Sequence, residues 1–261
     1  MLLTDDFVYV HMPKTGGTFV TEVINRLYER ETGESESLLA HARSLFGKKV
    51  RTYVEMRKHG TCSQIPRSHR GKMILATVRN PYDRYVSEYE FGWWRTHPDA
   101  WNGIAERAGS IFSNYPDLSF EEFVQMANTL FPLLDNSNFV PERRIGYQTE
   151  IFVRYFMKDP AHVFPHIDQE YLRLRRYKED LFDKLYFVQT GSLNQDLHNF
   201  LEQVGFGKDH LSFILEMGRV YPPEGGRKSD QSWEKYYTPD LKREVRTKER
   251  LLFELFPEFD I

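Results

Sequence analysis

The chain has 261 residues, 40% of them hydrophobic and 15% aromatic, enough for a sizeable core in one large α/β domain or two small ones. Its formal net charge of −3 and the lack of a basic stripe argue against a nucleic-acid partner, so any anion site must be local. The single cysteine, Cys62, excludes an internal disulfide and a cysteine-based zinc site, and fits a reducing compartment.

Residues 1–6 lack the basic start and long apolar core of a signal peptide. No apolar stretch approaches the roughly 20 residues of a membrane span. A soluble, cytoplasmic protein without a membrane span is therefore expected. The apolar run Phe7 to Val10 reads as a short buried strand, and Pro13, with no N–H for a ladder, marks its end. Gly16 and Gly17 allow a tight turn and close approach of a ligand. Val20, Val23, Ile24 and Leu27 then fall at helical spacing, so a helix opens near Gly17. A strand, a glycine-bearing loop and a helix N-terminus together hold anions, because free amides and the helix dipole both favour negative charge there. Lys14 adds a mobile positive charge. A phosphate-type ligand follows.

Beyond this helix, 29–37 reads as a polar turn with Gly33 as a helix cap, and 38–46 as a short helix. Alternation over 50–56 predicts a second strand, with Arg57-Lys58-His59-Gly60-Thr61-Cys62 as its polar exit. Residues 72–78 form the clearest buried strand and run into Arg79-Asn80-Pro81-Tyr82-Asp83-Arg84-Tyr85-Val86-Ser87. There Asn80 suits an N-cap and Pro81 the first helical position. Residues 92–117, with Trp93, Trp94 and Trp101, read as a loop-rich insertion. Ser119 and Glu122 form a capping box for a helix to about Leu130. A loop at 131–141 and a helix over 142–157 carrying Arg143 and Arg144 follow, then a charged amphipathic helix over 166–181. The pattern continues with a strand at 184–188, its exit Gln189-Thr190-Gly191-Ser192, and helices over 193–204 and 211–217. Residues 218–232 make a Gly/Pro-rich loop containing Gly225-Gly226-Arg227-Lys228-Ser229, and one amphipathic helix runs from Pro239 to about Phe256. Strands alternating with helices predict an α/β fold, a parallel β-sheet flanked by helices in a single domain over 1–261, with sites at the carboxyl ends of the strands.

With both polar turns in hand, the chain resembles the PAPS-dependent sulfotransferases. Pro13-Lys14-Thr15-Gly16-Gly17-Thr18 looks like their 5′-phosphosulfate loop and Arg79 to Ser87 like their 3′-phosphate motif. The wording is closest to the carbohydrate (Golgi-type) branch, without that branch's usual N-terminal anchor. The resemblance implies a P-loop-like sulfotransferase fold. It implies PAPS as donor and PAP as product, and a small-molecule or carbohydrate acceptor. The amides of Thr15, Gly16, Gly17 and Thr18 would hold the 5′-phosphate, with the Thr15 and Thr18 hydroxyls as extra donors. Lys14 would stabilise charge on the bridging oxygen, so no metal is needed. Arg79 and Ser87 would grip the 3′-phosphate, and Arg227 and Lys228 would close over it. Arg84 is either a further phosphate ligand or an ion-pair partner on its helix.

The acceptor needs a base, and histidine is the usual choice near neutral pH. His59 ranks first because it leaves the second strand at its carboxyl end, where the carbohydrate branch that the chain resembles typically carries its catalytic base. His69 ranks second and His11 third, and Glu55 is a carboxylate alternative. Phe91, Trp93, Trp94 and Trp101 form either an acceptor wall or a core. Cys62 reads as a buried small residue, since sulfuryl transfer needs no covalent intermediate. Two rivals remain. A P-loop kinase wants G-x-x-x-x-G-K-[ST], whereas here the lysine precedes the glycines. A non-catalytic nucleotide-binding module would keep the site and lose turnover.

Overall fold

A computed structural model describes residues 1–30, 51–97, 104–130, 145–220, 227–228 and 230–261. Gly33, the helix expected over 38–46, Val50, Trp101, the loop at 131–141, Arg143, Arg144, Gly225, Gly226 and Ser229 lie outside the described residues. The internal contacts cluster into two compact units, Met1–Arg79 with Leu181–Glu224, and Asn80–Asp180 with Gly225–Ile261.

The first unit is built on a six-stranded sheet of order β3-β4-β1-β2-β5-β6. The strands are β1 (Leu2–Thr4), β2 (Phe7–Val10), β3 (Glu29–Arg30), β4 (Thr52–Glu55), β5 (Met73–Val78) and β6 (Leu185–Gln189). β2 pairs parallel with β5, with Val10 opposite Ala76, and β5 pairs parallel with β6. β1 is too short to show a period in the sequence, and it runs antiparallel to both β2 and β4. The Thr4 hydroxyl closes the β1–β2 hairpin, accepting from the Phe7 N–H at 2.9 Å and donating to the Phe7 carbonyl at 2.8 Å. Two reversals cancel, so β4 runs in the same direction as β2. The α/β expectation therefore holds as a mostly parallel sheet, with β1 its one reversed strand, and β3, β4, β2, β5 and β6 send their carboxyl ends the same way.

Helix α1 (Gly17–Leu27) buries Phe19, Val20, Val23 and Ile24 on the sheet. The helix Leu193–Gln203 adds Leu197, Phe200 and Leu201 to the same core, and the Phe200 ring meets Phe7 edge-on at 5.0 Å. Each such fully buried apolar side chain contributes about 1.5–3 kcal/mol.

The second unit opens with helix α2 (Pro81–Phe91). The Asn80 side chain accepts from the Tyr82 N–H at 2.9 Å, Pro81 sits at the first turn, and Gly92 ends the helix at φ 63. The expected insertion loop contains helices at Trp93–Thr96 and Ile104–Ile111. Trp94 is buried against Tyr89, Phe123 and Tyr115, so it serves the core and not an acceptor wall. The Ser119 capping box forms as expected, with Ser119 N–H to Glu122 Oε2 at 2.8 Å. The helix expected over 142–157 is observed at Tyr147–Phe156. Its first-turn amides find an acceptor far along the chain: buried Glu249 takes the N–H groups of Gln148 and Thr149 and the Tyr85 hydroxyl. A Cβ on Gly146 would fall 2.1 Å from the Glu249 carboxylate, which is why the residue there is glycine. Burial holds the Glu249 carboxyl above the usual carboxylate range.

Two expected long helices are broken. Residues 166–181 carry only Gln169–Arg173 and Tyr177–Asp180, separated at Arg175, whose φ is 53. The last helix is Pro239–Lys248 and Arg250–Leu255, interrupted at Glu249 where that side chain turns inward. Among the described residues no helix is long and apolar enough to cross a membrane.

Candidate active site

The common strand direction brings four exits to one edge of the first unit's sheet: the Lys14 loop after β2, His59 after β4, Arg79 after β5 and Thr190 after β6. The Arg79 guanidinium donates from Nη1 to the Lys14 carbonyl at 3.3 Å, joining the two sequence motifs directly. Thr190, to which the sequence assigns no role, places its hydroxyl 3.0 Å from both the Thr15 and the Val78 carbonyl oxygens, its single proton shared between them. It staples β6 to the loop and to the end of β5.

The loop is shaped for close approach of an anion. Gly16 caps α1 at φ 94, and a Cβ there would fall 2.8 Å from the Leu193 side chain, so glycine is required twice over. The first-turn amides of α1, Gly17 and Thr18 among them, lack intrahelical acceptors by construction. Lys14 itself is held at φ 63, a left-handed conformation that costs a non-glycine residue about 1–2 kcal/mol. Strain of this kind clusters where a side chain must be aimed.

The Thr15 hydroxyl corrects the sequence reading. It is fully buried and points into the protein, donating to the Met12 carbonyl at 2.8 Å and lying 2.6 Å from the Thr77 hydroxyl. Since its proton goes to Met12, Thr77 donates to Thr15, and Tyr9 in turn donates to Thr77 at 3.3 Å. Thr15 can therefore serve a phosphate only through its backbone. Thr77→Val would leave the buried Tyr9 hydroxyl without its acceptor. It should cost about 1–3 kcal/mol in chemical denaturation, and the Tyr9→Phe/Thr77→Val pair should lose less than the sum of the single variants.

His11 lies beneath the loop. Its ring stacks on Tyr9 at 5.8 Å and meets His59 at 5.2 Å. Burial, reinforced by the His59 and Lys58 charges, pushes it down to about 3, so it stays neutral. Its ring also fills the space above Gly17, where a Cβ would fall 1.9 Å from His11 Nε2. Gly17→Ala should destabilise the fold by about 1–3 kcal/mol through overpacking, read as a fall in melting temperature. Added His11→Ala should restore most of that loss, and no restoration would locate the strain elsewhere.

His59 is exposed at the end of the β4 exit, with Nδ1 3.3 Å from the His11 carbonyl oxygen. A carbonyl only accepts, so Nδ1 carries the proton and Nε2 the basic lone pair. Burial of part of the ring lowers its pKa, opposed by the His11 carbonyl. His69 does not share this edge. It sits on the turn Arg67–His69 that leads into the amino end of β5, with Nδ1 on Ser68. Glu55 closes β4 and is at the right edge, four residues before His59. Cys62 is buried and its thiol is pushed up to about 12 by burial, as suits a small core residue.

In the second unit Ser87 lies buried on α2. Arg227 pairs with Asp83 at 2.5 Å, and Lys228 is exposed, its backbone N–H donating to Gln231 Oε1 at 2.7 Å. Arg84 is buried with its Nε 3.3 Å from Glu88, which favours the ion-pair role over a phosphate contact. Among the described residues no group of three or more His, Cys, Asp or Glu could hold a metal.

The model of the sulfotransferase family matches residues 2–248. The chain belongs to the sulfotransferase family. No curated protein matches it. Among solved structures it is similar to mouse sulfotransferase SULT7A1 complexed with PAP. That likeness runs at 17% identity over 98% of this chain and 83% of that one, with a TM-score of 0.44. Sulfotransferases use PAPS as donor, so this sulfotransferase is a PAPS-dependent transferase. The loop fits the donor's phosphosulfate end. It presents first-turn amides, a glycine turn with no room for side chains, and a lysine.

Proposed function

We propose that the chain moves the sulfuryl group from PAPS to an acceptor hydroxyl, with an amine as second choice, by in-line displacement. The amides of residues 15–18 hold the 5′-phosphate, Lys14 stabilises the charge that develops on the bridging oxygen, and His59 Nε2 takes the acceptor proton. Arg79, Ser87, Arg227 and Lys228 bind the 3′-phosphate, the arginines through planar forks that suit phosphate oxygens. The observation that carries this reading is the pairing of His59 with the loop. A neutral imidazole, its tautomer set by the His11 carbonyl, stands at the same sheet edge as Lys14. The wording of the two motifs, PKTGGT and RNPYDRYVS, supports the carbohydrate branch, and the acceptor class we favour is a small molecule or a glycoconjugate.

The test is an acceptor screen with isotopically labelled PAPS and mass detection of the product. A sulfated hydroxyl compound is the expected outcome. PAP binding with no turnover on sugars, glycoconjugates, phenols or amines would reduce the protein to a nucleotide-binding module.

A further inference from the structure

Asp83 is an acid inside an otherwise basic phosphate motif. On α2 it shares one helical face with Ser87 and Glu90, at i, i+4 and i+7. The late basic segment is fastened to that face at two points. Arg227 Nη1 meets Asp83 Oδ1 at 2.5 Å. At the other end, Glu90 accepts from the Gln231 side chain and from the Tyr236 hydroxyl, the latter at 2.6 Å. Lys228 and Gln231 close the turn between these points, with Lys228 N–H to Gln231 Oε1 and Gln231 N–H to the Lys228 carbonyl. The two carboxylates stand about 10 Å apart along the helix, seven residues at 1.5 Å each, with Ser87 between them. Arg227 and Asp83 are each about one-fifth exposed, at 19% and 20%, so their attraction is only partly screened.

We propose that Asp83 is a positioning residue for the donor's 3′-phosphate. Its carboxylate holds one edge of the Arg227 guanidinium beside Ser87 and leaves the fork's remaining N–H groups for phosphate oxygens. The inference rests on the reading that Ser87 and Arg227 bind that phosphate. A guanidinium has five N–H donors in a fixed plane, so one carboxylate cannot exhaust it. Without Asp83 the Arg227 side chain must be ordered by the ligand itself, at a cost in side-chain entropy.

The experiment compares PAP with 5′-AMP, which lacks the 3′-phosphate, by titration calorimetry on wild type, Asp83→Asn, Arg227→Ala and the double variant. Asp83→Asn should weaken PAP about tenfold, leave 5′-AMP within about twofold, and add nothing once Arg227 is removed. Equal weakening of both ligands would show a merely structural role and overturn the inference. Unchanged or tighter PAP binding would overturn it too, as would losses that add in the double variant. A wild type that binds PAP no tighter than 5′-AMP would instead remove the 3′-phosphate reading, and the role of Asp83 with it.

Discussion

Lys14→Ala should abolish sulfuryl transfer while leaving a folded protein that binds PAP. Losing one positioned donor to a developing negative charge costs about 10²–10³ in kcat, or about 2.7–4 kcal/mol. Lys14 carries a full charge, so the upper end is expected. PAP affinity should fall much less, because the loop amides and Arg79 are untouched and only the charge on the bridging oxygen changes during transfer. The left-handed backbone at Lys14 makes the choice of substitution matter. Alanine keeps the strain of φ 63 and removes only the ammonium, whereas glycine would relax the loop and mix two effects. Lys14→Arg retains charge in a planar fork and should recover part of the rate. The measurement is single-turnover transfer from labelled PAPS to the acceptor found in the screen, beside PAP titration. A Lys14→Ala rate within tenfold of wild type would take the lysine out of leaving-group stabilisation.

The sequence carried the parts of the site that obey local rules. A short apolar run, a proline stop, two glycines and a helical period are enough to place β2, the loop and α1. Asn80 and Pro81 likewise place the start of α2. What remained illegible depends on partners distant in the chain. β1 has three residues, too few for any period, and exists because β2 and β4 both pair with it. The inward turn of the Thr15 hydroxyl depends on Thr77, 62 residues on. The breaks at Arg175 and Glu249 interrupt good amphipathic patterns, the second because Glu249 caps a helix about a hundred residues earlier in the chain. The same logic explains Thr190 and Asp83. Each reads as an ordinary polar residue until the sheet brings it to the Lys14 loop, or the late segment brings Arg227 to it.

His59→Ala should lower kcat by about 10²–10⁴ and leave PAP affinity near that of the wild type, since the imidazole serves the acceptor and not the nucleotide. The pH dependence separates a base from a structural residue. Burial lowers the pKa of His59, so its neutral, proton-accepting form is already dominant somewhat below the ordinary histidine value of about 6.5. kcat/KM should therefore rise with pH along one limb below that value and be flat above it, and the limb should vanish in His59→Ala. His11 cannot produce this limb, because its buried ring has been pushed down to about 3. His69 cannot either, standing at the entrance to β5, away from the carboxyl edge. Added imidazole should restore part of the lost rate above neutral pH, where it is largely unprotonated. A carboxylate such as Glu55 acting as base would keep turnover when His59 is removed. Unchanged turnover in His59→Ala would move the base to that neighbouring carboxylate at the end of β4.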